Sequence, residues 1–398
     1  MNSRVFITDG HWRKSLAAVR ALGTKGIQVT VGESTCLATA LFSRYCNHAV
    51  VYPSPFSRPS AFLDFLHREL SRHPYQMLLP MEDETLELIS QHHSDFSRLT
   101  YLPIVSFQKL HLARSKDKIL RLADSLGIPT PKTWFINELS ELNSLKKSLP
   151  YPVVIKPKIS SGAVGIAYPK NPGELIERYL RIHEHFPFPM IQEYIPSEGP
   201  GYEASFLMDE SGDVKASFVH KRIREYPISG GASTLRKSIK HHDIRDLALT
   251  LLKALDWFGV AMVEFKIDPR DGLPKLMEIN PRFWGSLSLA VAAGVNFPYL
   301  LYRMSLGENF KPIEDYQTEK KCRWLLPGDI LHFIDNPHRS RLLPEFFHFW
   351  DANTTYDILS ARDPLPVLAR CLTPLTFIYN NDMKLRLRKR RLLQNTQT

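Results

Sequence analysis

Cysteine is scarce and poorly spaced for chemistry. Cys36, Cys46, Cys322 and Cys371 are scattered through 398 residues without a CxxC pair. Such spacing excludes a zinc knuckle and a disulfide framework, and it makes a reducing cytoplasm the expected compartment. Long apolar runs are missing as well. None approaches the ~18 residues that a bilayer-spanning helix needs, and the best candidate, "PLPVLARCLTPLTFIY", is interrupted by Arg370 and by prolines. The opening "MNSRVFITDGHWRK" has no apolar signal core, so no leader is expected. The first strand-turn, "TDGHW", lacks GxGxxG, which excludes a standard dinucleotide site. Walker A and GxSxG motifs are absent too, removing P-loop nucleotide binding and a serine hydrolase elbow. Zinc-finger, helix-turn-helix and RNA-binding aromatic signatures are lacking, so no nucleic-acid partner is expected despite a net charge of +10. Much of that excess is local, with six cations in "KLRLRKRR" (384–391). This segment is either a solvated terminus or a weak peripheral contact with an anionic membrane surface.

What is present reads as an α/β protein of two or three domains. In residues 1–110 strand signals ("RVFITDG", "IQVTVGES", "HAVVYP", "YQMLLP") alternate with helical ones ("RKSLAAVRALG", "AFLDFLHREL"). Alternation of this kind predicts a parallel, Rossmann-like doubly wound sheet. From 111 the character changes. "YEASFLMDESGDVKASFVHKR" and "VAMVEFKIDPRDGLPKLMEINPR" read as hairpins turning at Ser211–Gly212 and Asp271–Gly272, which implies antiparallel sheets. Beyond 311 the pattern is aromatic-rich and proline-punctuated, and short helices are expected up to the basic tail.

The residues that carry chemistry cluster in the second part. "KLMEINPRFWGS" puts Glu278, Asn280 and Arg282 at alternate positions, and alternate side chains of a strand share one face. Glu264, on the partner strand of the same hairpin, can sit beside Glu278. Two carboxylates and an amide are hard oxygen ligands of the kind magnesium takes, with substrate phosphates completing the shell. Carboxylates forced together without a cation repel, so the pair itself points to one. "VVIKPKISSGAVG" places Lys156 at the end of a buried strand, where an ammonium needs an anionic partner. The following small residues, among them Ser160, Ser161, Gly162 and Gly165, would let backbone N–H groups close over phosphates, or form a plain turn. "MIQEYIP" is either an edge strand or a hinge, and Glu203 in "GYEASF" either holds a ribose hydroxyl or assists a metal.

Taken in order, these pieces resemble the ATP-grasp superfamily of carboxylate–amine and carboxylate–thiol ligases, in its biotin-carboxylase-like and carbamoyl-phosphate-synthase-like branches. The resemblance runs over "DKILRLADSLGIP", "YPVVIKP", "QEYI", "GYE", "VEFKID" and "MEINPR", roughly residues 111–310. It implies a pre-ATP-grasp Rossmann-like domain (1–110) and an ATP-grasp domain (111–310) of two subdomains (111–190 and 191–310). A mostly helical region with the basic tail (311–398) would follow. It also implies ATP with Mg2+, or Mn2+, as cofactor. Lys118 and Lys156 would bind phosphates under a loop that includes Ser161, Gly162 and Gly165. Gln192, Glu193, Tyr194 and Ile195 would frame the adenine, with Glu203 at the nucleotide. Glu264, Glu278 and Asn280 would hold the metal, while Arg282 and Lys156 face the transferred phosphoryl group. Lys221, Arg222 and Arg224 lie where the resemblance puts an acceptor pocket, or on a solvated basic face. The implied activity joins a small-molecule carboxylate to an amine through an acyl phosphate. Rival readings are a carboxylase or kinase-like enzyme of the same fold, and a membrane-surface adaptor that binds ATP without turnover.

Overall fold

The computed structural model describes residues 4–160, 164–228, 230–349 and 351–379. Four short strands, Arg4–Ile7 (β1), Gln28–Glu33 (β2), His48–Val51 (β3) and Met77–Leu79 (β4), form a parallel sheet in the order β3-β2-β1-β4. Val5, Ile7, Val29 and Val31 are fully buried, as expected of parallel strands covered by helices. The helix Arg13–Gly23 supplies Leu16, Val19 and Leu22 to the same core.

A second, smaller sheet is antiparallel. It contains Thr133–Trp134 (β5), Val153–Lys156 (β6) and Met190–Glu193 (β7) in the order β5-β7-β6. The amphipathic helix Pro172–His183 packs on it through Leu175, Tyr179 and Ile182.

The third sheet has seven strands. They are Gly201–Met208 (β8), Val214–Tyr226 (β9), Ala232–Ile239 (β10), Gly259–Ile267 (β11), Pro274–Asn280 (β12), Lys321–Arg323 (β13) and Thr354–Tyr356 (β14). Their order is β12-β11-β8-β9-β10-β13-β14. The two expected hairpins are present, and Gly212 and Gly272 take φ of 79° and 73°, left-handed values that cost glycine little. Beyond 311 the helices Ile330–Asp335, Arg339–Phe346 and Leu365–Tyr379 lie where short helices are expected, but two short strands are not expected there. β13 and β14 extend the sheet, β13 antiparallel to β10 and β14 parallel to β13.

Alternation gives this sheet two unlike faces. Phe206, Val219, Ala261, Val263, Phe265, Leu276 and Ile279 pack under the helix His242–Ala254 and against Ile119 and Ala123. On the other face Leu207, Phe218, Val260 and Met262 share a core with β1, β2, Trp284, Phe297 and Leu301. Further along that same face the apolar residues give way to Glu203, Arg222 and Glu264. A bulge sets the register of β11 and β12. Glu264 faces Glu278 but Phe265 faces Leu276, so Met277 is an extra residue on β12.

Candidate active site

Three carboxylates stand in a row across three strands, because Glu264 is paired in register with Glu203 on β8 and with Glu278 on β12. Arg222, on the neighbouring β9, bridges the first two through Nε to Glu203 and Nη2 to Glu264. His220 Nε2 lies 2.9 Å from Glu203 Oε2, and Ser286 donates to the same oxygen at 3.0 Å. Asn280 donates from Nδ2 to Glu264 Oε1 at 2.7 Å, which brings the amide into the row. Burial alone would raise all three carboxyls. For Glu203, Arg222 and His220 more than offset it and hold the group well below the usual carboxylate range. Glu278 is pulled down against burial by Lys116, then by Arg222 and Lys156. Glu264 ends up raised, since burial together with repulsion from Glu278 and Glu203 outweighs Arg222.

Lysines close the cleft from two sides. Lys156 ends β6 in the small sheet, and its ammonium donates to Gln192 Oε1 at 2.8 Å, while Gln192 Nε2 donates to Thr133 at 2.9 Å. Burial, then repulsion from Lys116, pushes Lys156 down to about 8, with Glu278 opposing. Lys116 lies 2.9 Å from Glu278 Oε2 and also donates to the Ser160 carbonyl at 2.8 Å. It therefore ties the start of the small-residue loop to the acid row. Lys118, expected at the phosphates, is exposed on the same helix, Lys116–Ser125. Positions two apart on a helix point in nearly opposite directions, whereas Lys116 shares its stripe with Ile119, Leu120 and Ala123. That stripe was the signal in the sequence that marks Lys116 as the inward lysine.

The other expected residues divide. Ser161 and Gly162 lie outside the described residues, as does the basic tail 384–391. Gly165 has φ of 76°, so a side chain there would be strained, and a Cβ would also meet Pro157 at 2.7 Å. Glu193, in the expected hinge, accepts from the Lys132 amide at 2.7 Å and from Arg270 at 2.8 Å, while the Ile195 carbonyl accepts from Lys266 at 3.2 Å. Tyr194 stacks edge-on with Tyr168. Arg282 lies past the end of β12, and its nearest charge partner is Asp83 rather than Glu278. Its Nε and Nη2 fork onto Asp83 at 2.9 and 2.8 Å. Arg224 likewise forks onto Asp329, at 2.9 Å twice, rather than lining an open pocket. Asp83 and Asp329 are partners that no local sequence pattern announces.

Among the described residues, no group of three or more His, Cys, Asp or Glu side chains converges as a metal set. The expected ligands are two carboxylates and an amide, and here the chain's own cations neutralise them. Their chemistry nonetheless fits a hard divalent ion. The ligands are oxygens on adjacent strands, and the middle carboxyl is raised by burial and then by its two carboxylate neighbours.

Comparison with known proteins agrees with this architecture. Residues 186–325 match the family model described as ATP-grasp in the biosynthetic pathway with Ter operon. The chain carries an ATP-grasp family domain and has the α/β ATP-grasp fold. Over 285 residues it is 24% identical to the D-aspartate ligase of Enterococcus faecium, covering 65% of this chain and 66% of that enzyme, just under two thirds of its length. The biotin carboxylase domain of Hydrogenobacter thermophilus 2-oxoglutarate carboxylase, solved with MgADP and bicarbonate, superposes with a TM-score of 0.66 at 16% identity, over 80% of this chain and 73% of that one. The L-amino acid ligase of Bacillus licheniformis superposes with a TM-score of 0.59 at 18% identity, over 76% and 74% of the two chains.

Proposed function

We propose that the protein is an ATP-dependent ligase that activates a substrate carboxylate as an acyl phosphate with Mg–ATP. An amine then displaces phosphate, forming a carbon–nitrogen bond and releasing ADP. The observation that carries the reading is the set of Glu264, Glu278 and Asn280 on one sheet face across two paired strands, met by Lys116 and Lys156. Bound there, a divalent ion would neutralise phosphate charge and supply electrophilic assistance to transfer. Lys156 and Lys116 would hold phosphate oxygens, and the tie from Gln192 to Lys156 would orient the ammonium. The hinge 193–195 would frame the adenine, and Arg222, bridging Glu203 and Glu264, would stand next to the acceptor acid. Residues 111–190 and 191–310 would act as the two jaws of the cleft, with 1–110 backing them. The D-aspartate ligase among the similar proteins supports the ligase reading.

The test has two parts. Calorimetry should show Mg–ATP binding that Glu278→Gln weakens, with recovery at higher magnesium. A panel of amino acids and dicarboxylic acids, each offered with amines, should then release ADP in the parent. No nucleotide binding by the parent would overturn the reading.

A further inference from the structure

The helix Leu365–Tyr379 buries the wrong residues. Leu365, Leu368, Leu372 and Leu375 are 52%, 61%, 45% and 47% exposed, whereas Ala369, Thr373 and Thr376 are 1%, 6% and 0% exposed. A surface helix ordinarily turns its leucines inward and its polar side chains out. Here the leucines recur at intervals of three and four, so they form one continuous stripe facing away from the protein. The inward face is fixed in place. Thr373 and Thr376 satisfy their hydroxyls on the helix's own carbonyls, Ala369 O at 3.2 Å and Thr373 O at 2.6 Å. Just before the helix, Asp363 accepts from Arg20 Nε at 2.8 Å, Ser43 Oγ at 2.7 Å and the Arg44 amide at 2.8 Å. Rotating the stripe inward would break these anchors.

We infer that this leucine stripe seats the protein on an anionic lipid surface. The choice of occupant comes from the sequence that follows, where "KLRLRKRR" supplies six cations within eight residues. An apolar helical face joined to a polybasic segment is the combination that holds a chain in the headgroup region, with leucines among acyl chains and cations on phosphates. A neutral protein groove would account for the leucines but not for the cations. Among the described residues no helix is long and apolar enough to cross a membrane. This inference does not rest on the ligase reading.

Sedimentation of the full chain with vesicles of phosphatidylcholine containing about one quarter phosphatidylglycerol tests it. The parent should sediment with these vesicles and not with pure phosphatidylcholine. Leu368→Gln with Leu372→Gln should lower the bound fraction roughly tenfold, as should deletion of 384–398, with Mg–ATP binding unchanged. Sedimentation equal to that of the parent would overturn the proposal. A second measurement leaves the stripe intact. Cys371 is exposed on this helix, and Cys36 is the other exposed thiol. Burial pushes Cys46 up to about 11 and Cys322 up to about 12, so both are poorly reactive. In a Cys36→Ser background, a polarity-sensitive dye on Cys371 should shift to the blue with anionic vesicles. No shift with the vesicles overturns the proposal. The same shift on concentrating the protein without lipid would assign the stripe to a second copy, and a shift with nucleic acid alone would assign the tail elsewhere. Either would also overturn it.

Discussion

At the scale of the residue, Lys156 shows how a buried cation can be poised for an anion. Burial and Lys116 push it down to about 8 from an ordinary 10.5. In the free protein the ammonium therefore loses its proton above pH 8, while below pH 8 its buried charge costs stability, and stability rises as pH climbs from 8 towards 10.5. Phosphate beside the ammonium reverses the preference, so binding takes up a proton above pH 8. Mg–ATP affinity should then fall by up to about tenfold per pH unit above that point, and Lys156→Ala should bind weakly with this slope removed. Titration calorimetry at several pH values would decide it, and a parental slope surviving in the variant would remove Lys156 from the site. Lys116 and Lys118 offer a second comparison two residues apart. Lys116→Ala should cut turnover by about 100-fold, the order expected for one preorganised charge, while Lys118→Ala should change it little. Rates of ADP release would separate the two lysines.

At the scale of the element, the end of β12 and the residues just past it do two jobs with alternate residues. Glu278 and Asn280 serve the cleft, and Arg282 beyond the strand end grips Asp83, 6% exposed at its side chain, on the first helix past β4. Burial would raise Asp83, but Arg282 holds it well below the usual range. Its contribution is thus complete above the unfolded carboxyl value near 4 and is lost as pH falls towards the folded one. Removing one partner of a buried pair typically costs about 3–5 kcal/mol, so Asp83→Asn should lower stability on that order. Asp83→Leu combined with Arg282→Met should cost less and should flatten the acid limb of the urea-unfolding profile. The hairpins themselves were legible in the sequence, since alternating residues and turn glycines mark them and place Glu264 beside Glu278. Arg282's partner was not legible, because it lies 199 residues away and ion pairs leave no local pattern. Nor were β13 and β14, three residues each, which are too short to show a period.

At the scale of the whole molecule, the described parts are fastened by charge as well as by apolar packing. Arg236, fully buried on β10, forks onto Asp357 beside β14, and Arg13 from the first helix reaches the same carboxylate at 3.3 Å. Arg224 and Arg323 share Asp329. A chain ending at 310 would keep Arg13, Arg224 and Arg236 but lose both aspartates, leaving guanidinium groups without their anions in the interior. Such a truncation should fail to unfold cooperatively and should be cut quickly by protease, although it holds every expected nucleotide residue. A sharp calorimetric transition for residues 1–310 would show that the later strands are dispensable. Trp284, 1% exposed in the core shared by the parallel and the seven-stranded sheets, reports on the same unity. Trp284→Ala should cost about 3–5 kcal/mol and lower the stability of both sheets together.

The extra residue at Met277 gives β12 one place where the count of residues can change and leaves others where it cannot. Below it Phe265 meets Leu276, and above it Glu264 meets Glu278. Exchanging Met277 for another side chain leaves every neighbour where it was. Deleting it would straighten β12 into a regular ladder with the same partners, whereas deleting Ile279 would bring Asn280 opposite Val263 and turn it under the helix His242–Ala254. An insertion at the exposed tip, between Asp271 and Gly272, leaves both strands in step. Among descendants of this chain, length variation should therefore collect at the tip and at Met277, and the interval from 278 to 280 should keep its number of residues.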